Sequence, residues 1–117
     1  MEQIHFTIDT EALPQPRPRF SKGRAYQPAR IVEYKKKIKQ AALAAMNGRP
    51  PLSTPLKMIM KLGRSTRRRV DVDNLSKAIM DAVNGICYVD DCLVFSLYCT
   101  KYFTATPQIE VSIEEIA

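Results

Sequence analysis

With 117 residues the chain has room for one domain, spanning 1–117, and one modest core, since domains commonly run to on the order of 100–150 residues. A hydrophobic fraction of 45% beside 26% charged residues is ordinary globular usage and excludes wholesale disorder. No stretch nears the ~20 apolar residues that span a bilayer, and the opening Met1-Glu2-Gln3 begins no secretory leader. A cytoplasmic protein with no membrane association is expected. Cys87, Cys92 and Cys99 are odd in number and never spaced as C-x-x-C, so neither a disulfide framework nor a zinc knuckle is signalled, and reduced, partly buried thiols are expected.

The net charge of +6 hides an asymmetry: residues 1–69 hold 16 Lys and Arg against 4 Asp and Glu, and residues 70–117 hold 2 against 8. A basic half attracts polyanions, of which phosphate backbones are the commonest, and a clustered acidic half attracts metal cations. The two together point toward nucleic-acid chemistry, although charge of either sign also serves merely to keep a surface wet.

In chain order, Ile4, Phe6 and Ile8 alternate with polar neighbours, which predicts a half-buried strand over about 2–9. Residues 13–28, with four prolines, a glycine and four basic residues, read as a cationic loop, neither helix nor strand. From Ala29 to Asn47, Ile31, Tyr34, Ile38, Ala41, Ala42 and Ala45 recur at helical spacing, with Lys35, Lys36, Lys37 and Lys39 mainly elsewhere, and Asn47-Gly48 stops the helix. Leu56, Met58, Met60 and Leu62 predict a strand at 55–63, followed by a basic turn from Gly63 to Arg69. A second helix opens at Asp73 or its neighbour, carries Leu75, Ala78, Ile79, Ala82 and Val83 on one face, and ends at Asn84-Gly85. Strands at 93–102 and 107–114, joined by a turn through Thr104-Ala105-Thr106-Pro107, complete the order β-α-β-α-β-β. The expected fold is α/β (α+β): a small mixed sheet of about four strands, covered by two helices on one face.

The chemistry gathers in Arg67-Arg68-Arg69-Val70-Asp71-Val72-Asp73-Asn74, then Lys77, then Asp90-Asp91 beyond the helix. Were 70–73 extended, Asp71 and Asp73 would point to one side about 7 Å apart, with Val72 turned to the core. Bringing Asp91 to them needs tertiary folding, and a strand beginning near Leu93 beside the one that ends before Asp73 would supply it. Converging carboxylates repel unless a cation lies between them, and an all-oxygen shell selects Mg²⁺, with Mn²⁺ as substitute, over zinc. Such an ion serves phosphodiester hydrolysis.

Lys77, one turn after Asp73, suits a phosphate or leaving oxygen, but it equally suits a weak pair with Asp73 or Asp81. Asp73 also reads as an N-cap, Asp71 as a turn residue and Asp90-Asp91 as a plain turn. Arg17, Arg19, Lys22 and Arg24 on the first loop, with Arg67, Arg68 and Arg69, suit backbone phosphates. Phe20 and Tyr26 are as well explained by burial or loop anchoring as by base stacking. His5, on the polar side of its strand, is no candidate base.

The string R-R-R-V-D-V-D-N-L-x-K, the helix A-I-M-D-A-V-N-G and then V-D-D-C-L-V, over residues 67–94, resemble the signature of the RusA family of Holliday-junction resolvases, small endodeoxyribonucleases often encoded by prophages. The upstream R-P-R-F-S-K-G-R-A-Y-Q-P is similar to the form in Gram-positive and phage members. The resemblance implies that Asp71, Asp73 and Asp91 bind the metal, that Asp90 supports them and that Lys77 is catalytic. It further implies a homodimer that cuts four-way DNA junctions in recombination and repair. Some members carry an arginine directly before the first acid; here that place is Val70, which leaves Arg69 to take its role or the role unfilled. Two other readings stay open: a non-catalytic basic nucleic-acid-binding module, and a nuclease acting on forks or flaps.

Overall fold

The computed structural model describes residues 3–16, 19–21, 24–26 and 28–116, with 19–21 and 24–26 described by their backbone. Strand β1 (Gln3–Ile8) buries Ile4 and Phe6 and exposes Gln3, His5 and Thr7, as period-two alternation requires. Residues 19–26, expected as loop, instead hold a short antiparallel hairpin of β2 (Arg19–Ser21) and β3 (Arg24–Tyr26). Prolines at 14, 16 and 18 mask it in sequence, yet only two residues separate the strands, the commonest hairpin length.

Helix α1 (Ala29–Met46) buries Ile31, Tyr34, Ile38, Ala42 and Met46. It stops where expected, at Asn47 in the left-handed region (φ 51°) followed by Gly48 (φ 79°), with the Asn47 N–H donating to the Leu43 carbonyl. Strand β4 (Leu56–Arg64), helix α2 (Val72–Val83), strand β5 (Val94–Phe103) and strand β6 (Gln108–Glu115) follow.

The main sheet has the order β1-β6-β4-β5. The β1·β6 and β6·β4 pairs are antiparallel, and β4·β5 is parallel. Ile4 and Phe6 of β1, Ile109, Val111 and Ile113 of β6, and Leu56, Met58, Met60 and Leu62 of β4 form the sheet's side of one core, which the apolar stripes of α1 and α2 complete. The opposite face is polar and mixed in charge, with His5 beside Glu110 at 3.0 Å and Lys57 beside Glu114 at 3.5 Å. This is the mixed four-stranded sheet with two helices that the sequence predicts. Among the described residues no helix is long and apolar enough to cross a membrane.

The unit β4-α2-β5 positions the chemistry. Because β5 returns parallel to β4, α2 must run back along the sheet from the C-terminal ends of both strands to their N-terminal ends. Two contacts mark the far end: the Lys101 ammonium donates to the Val70 carbonyl at 2.6 Å, and the Cys99 thiol lies 3.9 Å from the Val72 carbonyl.

Candidate functional site

Helix α2 starts at Val72, so the extended geometry that would pair Asp71 with Asp73 across Val72 ends at Asp71, which has φ −77° and ψ 139°. Asp71 is the N-cap and Asp73 lies in the first turn. An aspartate at an N-cap ordinarily accepts from the helix's first N–H groups, yet the Asp71 side chain makes no such bond. The Asp73 carboxylate accepts from the Asn74 N–H at 3.0 Å. Both acids are exposed, at the end of the helix whose dipole favours negative charge. Lys77 is exposed one turn further along and makes no ion pair with the described residues. Asp81, its other candidate partner, is bonded to Lys35 of α1 at 2.6 Å.

Asp90 and Asp91 stand at the opposite end of the unit. Asp90 caps a short 3₁₀ turn (Asp91–Leu93), its carboxylate accepting from the Cys92 N–H at 3.3 Å. The Cys92 thiol and N–H hold the Asp90 carboxyl below its ordinary value. Asp91 accepts from the Tyr88 hydroxyl at 2.7 Å, and that hydroxyl lies 3.1 Å from the Met80 carbonyl near the C-terminus of α2. Burial, and then Asp91 beside it, raise the Tyr88 pKa, so the phenol stays a donor to the carboxylate.

The two acid groups therefore do not meet within the chain. Met80 follows Asp73 by about 10 Å of helix, whereas two oxygens on one Mg²⁺ lie within about 4 Å of each other. Among the described residues no group of three or more His, Cys, Asp and Glu stands where it could hold a metal ion. The expected pairing of β5 with the strand before Asp73 does form, but in parallel. Val94 lies beside Leu56 at the start of β4 and Phe103 beside Arg64 at its end, which leaves Asp91 at the wrong end. One copy of the chain does not fit a three-carboxylate metal site.

Arg68 and Arg69 are exposed, as is Arg67, whose guanidinium stacks 4.7 Å above the Phe103 ring. Behind them an open cleft is lined by Glu11, Arg64, Thr66, Arg68 and Arg69. The Glu11 carboxylate accepts from the Ser65 and Thr66 N–H groups at 3.0 and 3.1 Å and fixes the start of the basic run. Arg17 and Lys22 lie outside the described residues, as do the side chains of Arg19, Phe20, Arg24 and Tyr26, whose backbones belong to the hairpin.

Three residues escaped the sequence reading. Tyr88, which holds Asp91, carries no local signal. Lys35, only 5% exposed, is a lysine on the inner side of α1. Arg64 did leave a trace: it continues the alternation of Leu56, Met58, Met60 and Leu62, which places a buried cation on the core side of β4. All three cysteines are free: Cys87 is buried and Cys99 half-buried, and burial pushes both thiols up to about 11, while Cys92 is exposed.

The sequence model of a family described as Endodeoxyribonuclease RusA matches residues 9–114. The chain is also 30% identical to the uncharacterized protein YqaN of Bacillus subtilis (strain 168), over all of this chain and 99% of that one.

Proposed function

This chain belongs to the RusA family of endodeoxyribonucleases, and on that premise we propose that it resolves four-way (Holliday) DNA junctions by symmetric phosphodiester hydrolysis in recombination and repair. In this reading it is a homodimer that requires Mg²⁺ and accepts Mn²⁺. The observation that carries the reading is the state of Asp71: a carboxylate at a helix N-cap that caps nothing is left over for another task. It stands beside Asp73 and directly after the basic run Arg67-Arg68-Arg69. Asp71, Asp73 and Asp91 are the acids of the reaction, with Asp90 acting only through the turn that presents Asp91. Lys77, exposed and unpaired among the described residues, offsets the charge that grows on the phosphate. The arginines grip backbone phosphates without reading bases, and a twofold dimer matches the near-twofold symmetry of the junction.

Labelled four-way junction, fork, flap and linear duplex, each incubated with Mg²⁺, Mn²⁺ or EDTA, test the assignment. Paired symmetric nicks in the junction that require the metal are expected. Asp73→Asn is expected to abolish them while junction binding is kept or strengthened, because a negative charge leaves an intact basic surface. Wild-type cleavage by that variant ends the assignment. Salt-sensitive binding indifferent to Mg²⁺ and without cleavage identifies a non-catalytic binding module instead, and preferential cutting of forks or flaps moves the substrate.

A further inference from the structure

We propose that the open cleft between the segment 11–16, the start of α1 and the basic run 64–69 is a seat for one phosphate group, with the buried Arg64 as its main donor and Tyr34, Arg30 and Arg68 assisting. That DNA carries the phosphate rests on the nuclease reading; the seat itself does not.

A buried cation without an anion is the first observation. Arg64, the last residue of β4, is 7% exposed, yet it makes no ion pair among the described residues. Its Nε has no hydrogen-bond partner there, and its one side-chain bond, from Nη1 to the Arg68 carbonyl, is stretched to 3.5 Å. Buried charges are costly unless paired and hydrogen-bonded, so a guanidinium kept in such a place points to an anion that arrives from outside. The Tyr34 hydroxyl is in the same condition: the residue is 4% exposed and its oxygen has no partner among the described residues. Burial pushes it up to about 12, with the Arg64 charge pulling the other way, so it keeps its proton and stands as a donor in want of an acceptor.

The cleft that Arg64 lines supplies the room and the field. Its volume is about 580 Å³, which is ligand-sized, so a phosphate can enter with its sugar attached. Four arginines, Arg30, Arg64, Arg68 and Arg69, line it against one carboxylate, Glu11. That carboxylate is engaged: against the pull of burial, the Ser65 and Thr66 N–H groups and then the Arg64 charge hold it below its ordinary value. No other acid lies between Glu11 and Glu33 in the sequence, so the segment that links the cleft's two walls cannot supply the missing anion. The first turn of α1, which contributes Arg30 and Ile31 to the lining, has no acidic residue and no side-chain cap, and it leaves the positive end of the helix dipole at the cleft.

These donors belong to α1, to the end of β4 and to the run after it, and so approach from different sides. A carboxylate is planar and offers two oxygens, which a single guanidinium fork satisfies. A phosphate offers oxygens in several directions and suits more than one guanidinium together with a hydroxyl. Val70 also lines the cleft and is followed directly by Asp71, so a DNA strand crossing the acids brings a neighbouring phosphate to the seat and leaves the scissile one outside it. Arg64 is thus a positioning residue that fixes the register of the strand.

The test compares wild type, Arg64→Met, Tyr34→Phe and Arg30→Ala by calorimetry and thermal unfolding in metal-free buffer, with sodium phosphate against sodium chloride at equal ionic strength. Wild type is expected to bind inorganic phosphate and to gain in Tm. Arg64→Met is expected to lose that binding and to keep only the general stabilisation that phosphate gives any protein, while its Tm in chloride is no lower than wild type, because an unpaired buried charge has gone. Should Arg64→Met fail to fold, Tyr34→Phe and Arg30→Ala carry the test: each is expected to fold normally and to bind phosphate several-fold more weakly. Phosphate binding that survives Arg64→Met, or that neither of the other variants weakens, overturns the proposal.

Four-way junctions with one neutral methylphosphonate, placed in turn at each position near the branch point, identify the source of the phosphate. At one position beside the cut the replacement is expected to lower wild-type affinity about tenfold or more, the worth of one hydrogen bond to a charged group, and to leave the affinity of Arg64→Met unchanged. No such position, with inorganic phosphate still bound through Arg64, assigns the seat to a free phosphate ester. Phosphate binding through Arg64 by a protein that cuts no DNA sinks the nuclease reading and leaves the seat standing. Junction cleavage with no phosphate binding through Arg64 does the reverse.

Discussion

Asp71 and Asp90 occupy equivalent places, each the residue before a helical turn, and use their carboxylates differently. The Asp90 carboxylate accepts the Cys92 N–H, while the Asp71 carboxylate accepts nothing from its helix. Replacing Asp71 by Ala therefore removes no cap and is expected to change stability by less than about 0.5 kcal/mol, the range of plain surface substitutions, while abolishing junction cleavage. Asp90→Ala is expected to lower the urea midpoint at pH 7. Its pH dependence has a definite sign: the folded carboxyl is held below its ordinary value, so its contribution is present above the unfolded pKa of about 3.9 and is lost as pH falls through the folded value. The midpoints of wild type and Asp90→Ala should draw together as pH falls below about 3.9 and meet only once it is below the folded value, and a gap that persists at still lower pH would show that the cap does not act through its charge. Adjacent aspartates look alike in sequence; the structure separates them, since the Tyr88 hydroxyl, three residues before Asp91, donates to Asp91 while Asp90 takes the Cys92 N–H.

At the scale of elements, α1 and α2 are joined by a polar link through the core's edge. The Lys35 ammonium, almost wholly buried, donates to Asp81 at 2.6 Å, and that carboxylate is half in solvent. Removing the acid strands a buried cation, whereas removing the lysine leaves a carboxylate that water can serve. Asp81→Ala is expected to cost about 1–3 kcal/mol, the magnitude for losing a charged hydrogen-bond partner in a partly buried setting, and Lys35→Met clearly less, both read from urea unfolding. Equal costs would mean that the pair acts by packing. Helical periodicity showed Ile31, Tyr34, Ile38 and Ala42 facing inward, with Ala41 and Ala45 half-buried beside them, and missed Met46 and Lys35, whose inward place depends on a partner 46 positions away. In the same way alternation and stop signals showed β4, α2 and β5 within a residue or two, but not that β5 would run parallel to β4. Direction is a property of the crossover and not of any residue in the strand, and it alone decides which end of the unit receives Asp91. The hairpin at 19–26 was hidden for a local reason, the prolines that precede it.

Across the whole molecule, the basic half and the acidic half meet at one boundary, Arg69 to Asp71, so the cations proposed to grip DNA abut the acids proposed to act on it. Phosphate contacts displace counterions, and each lowers the slope of log affinity against log salt by about 0.9 on duplex DNA. Arg67 is held in place by stacking on Phe103, and Arg68 and Arg69, both exposed, line the open cleft. Substituting all three by Ala is expected to weaken junction binding at low salt, to flatten the slope by about 2.7 per subunit, and to do so equally for junctions of different sequence, because phosphate contacts carry no base information. In the same variant thermal stability should stay close to wild type, since all three side chains are exposed and surface charges contribute little to folding. An unchanged salt slope would place the DNA elsewhere on the molecule, and a slope changed for one junction sequence only would mean that an arginine reads a base.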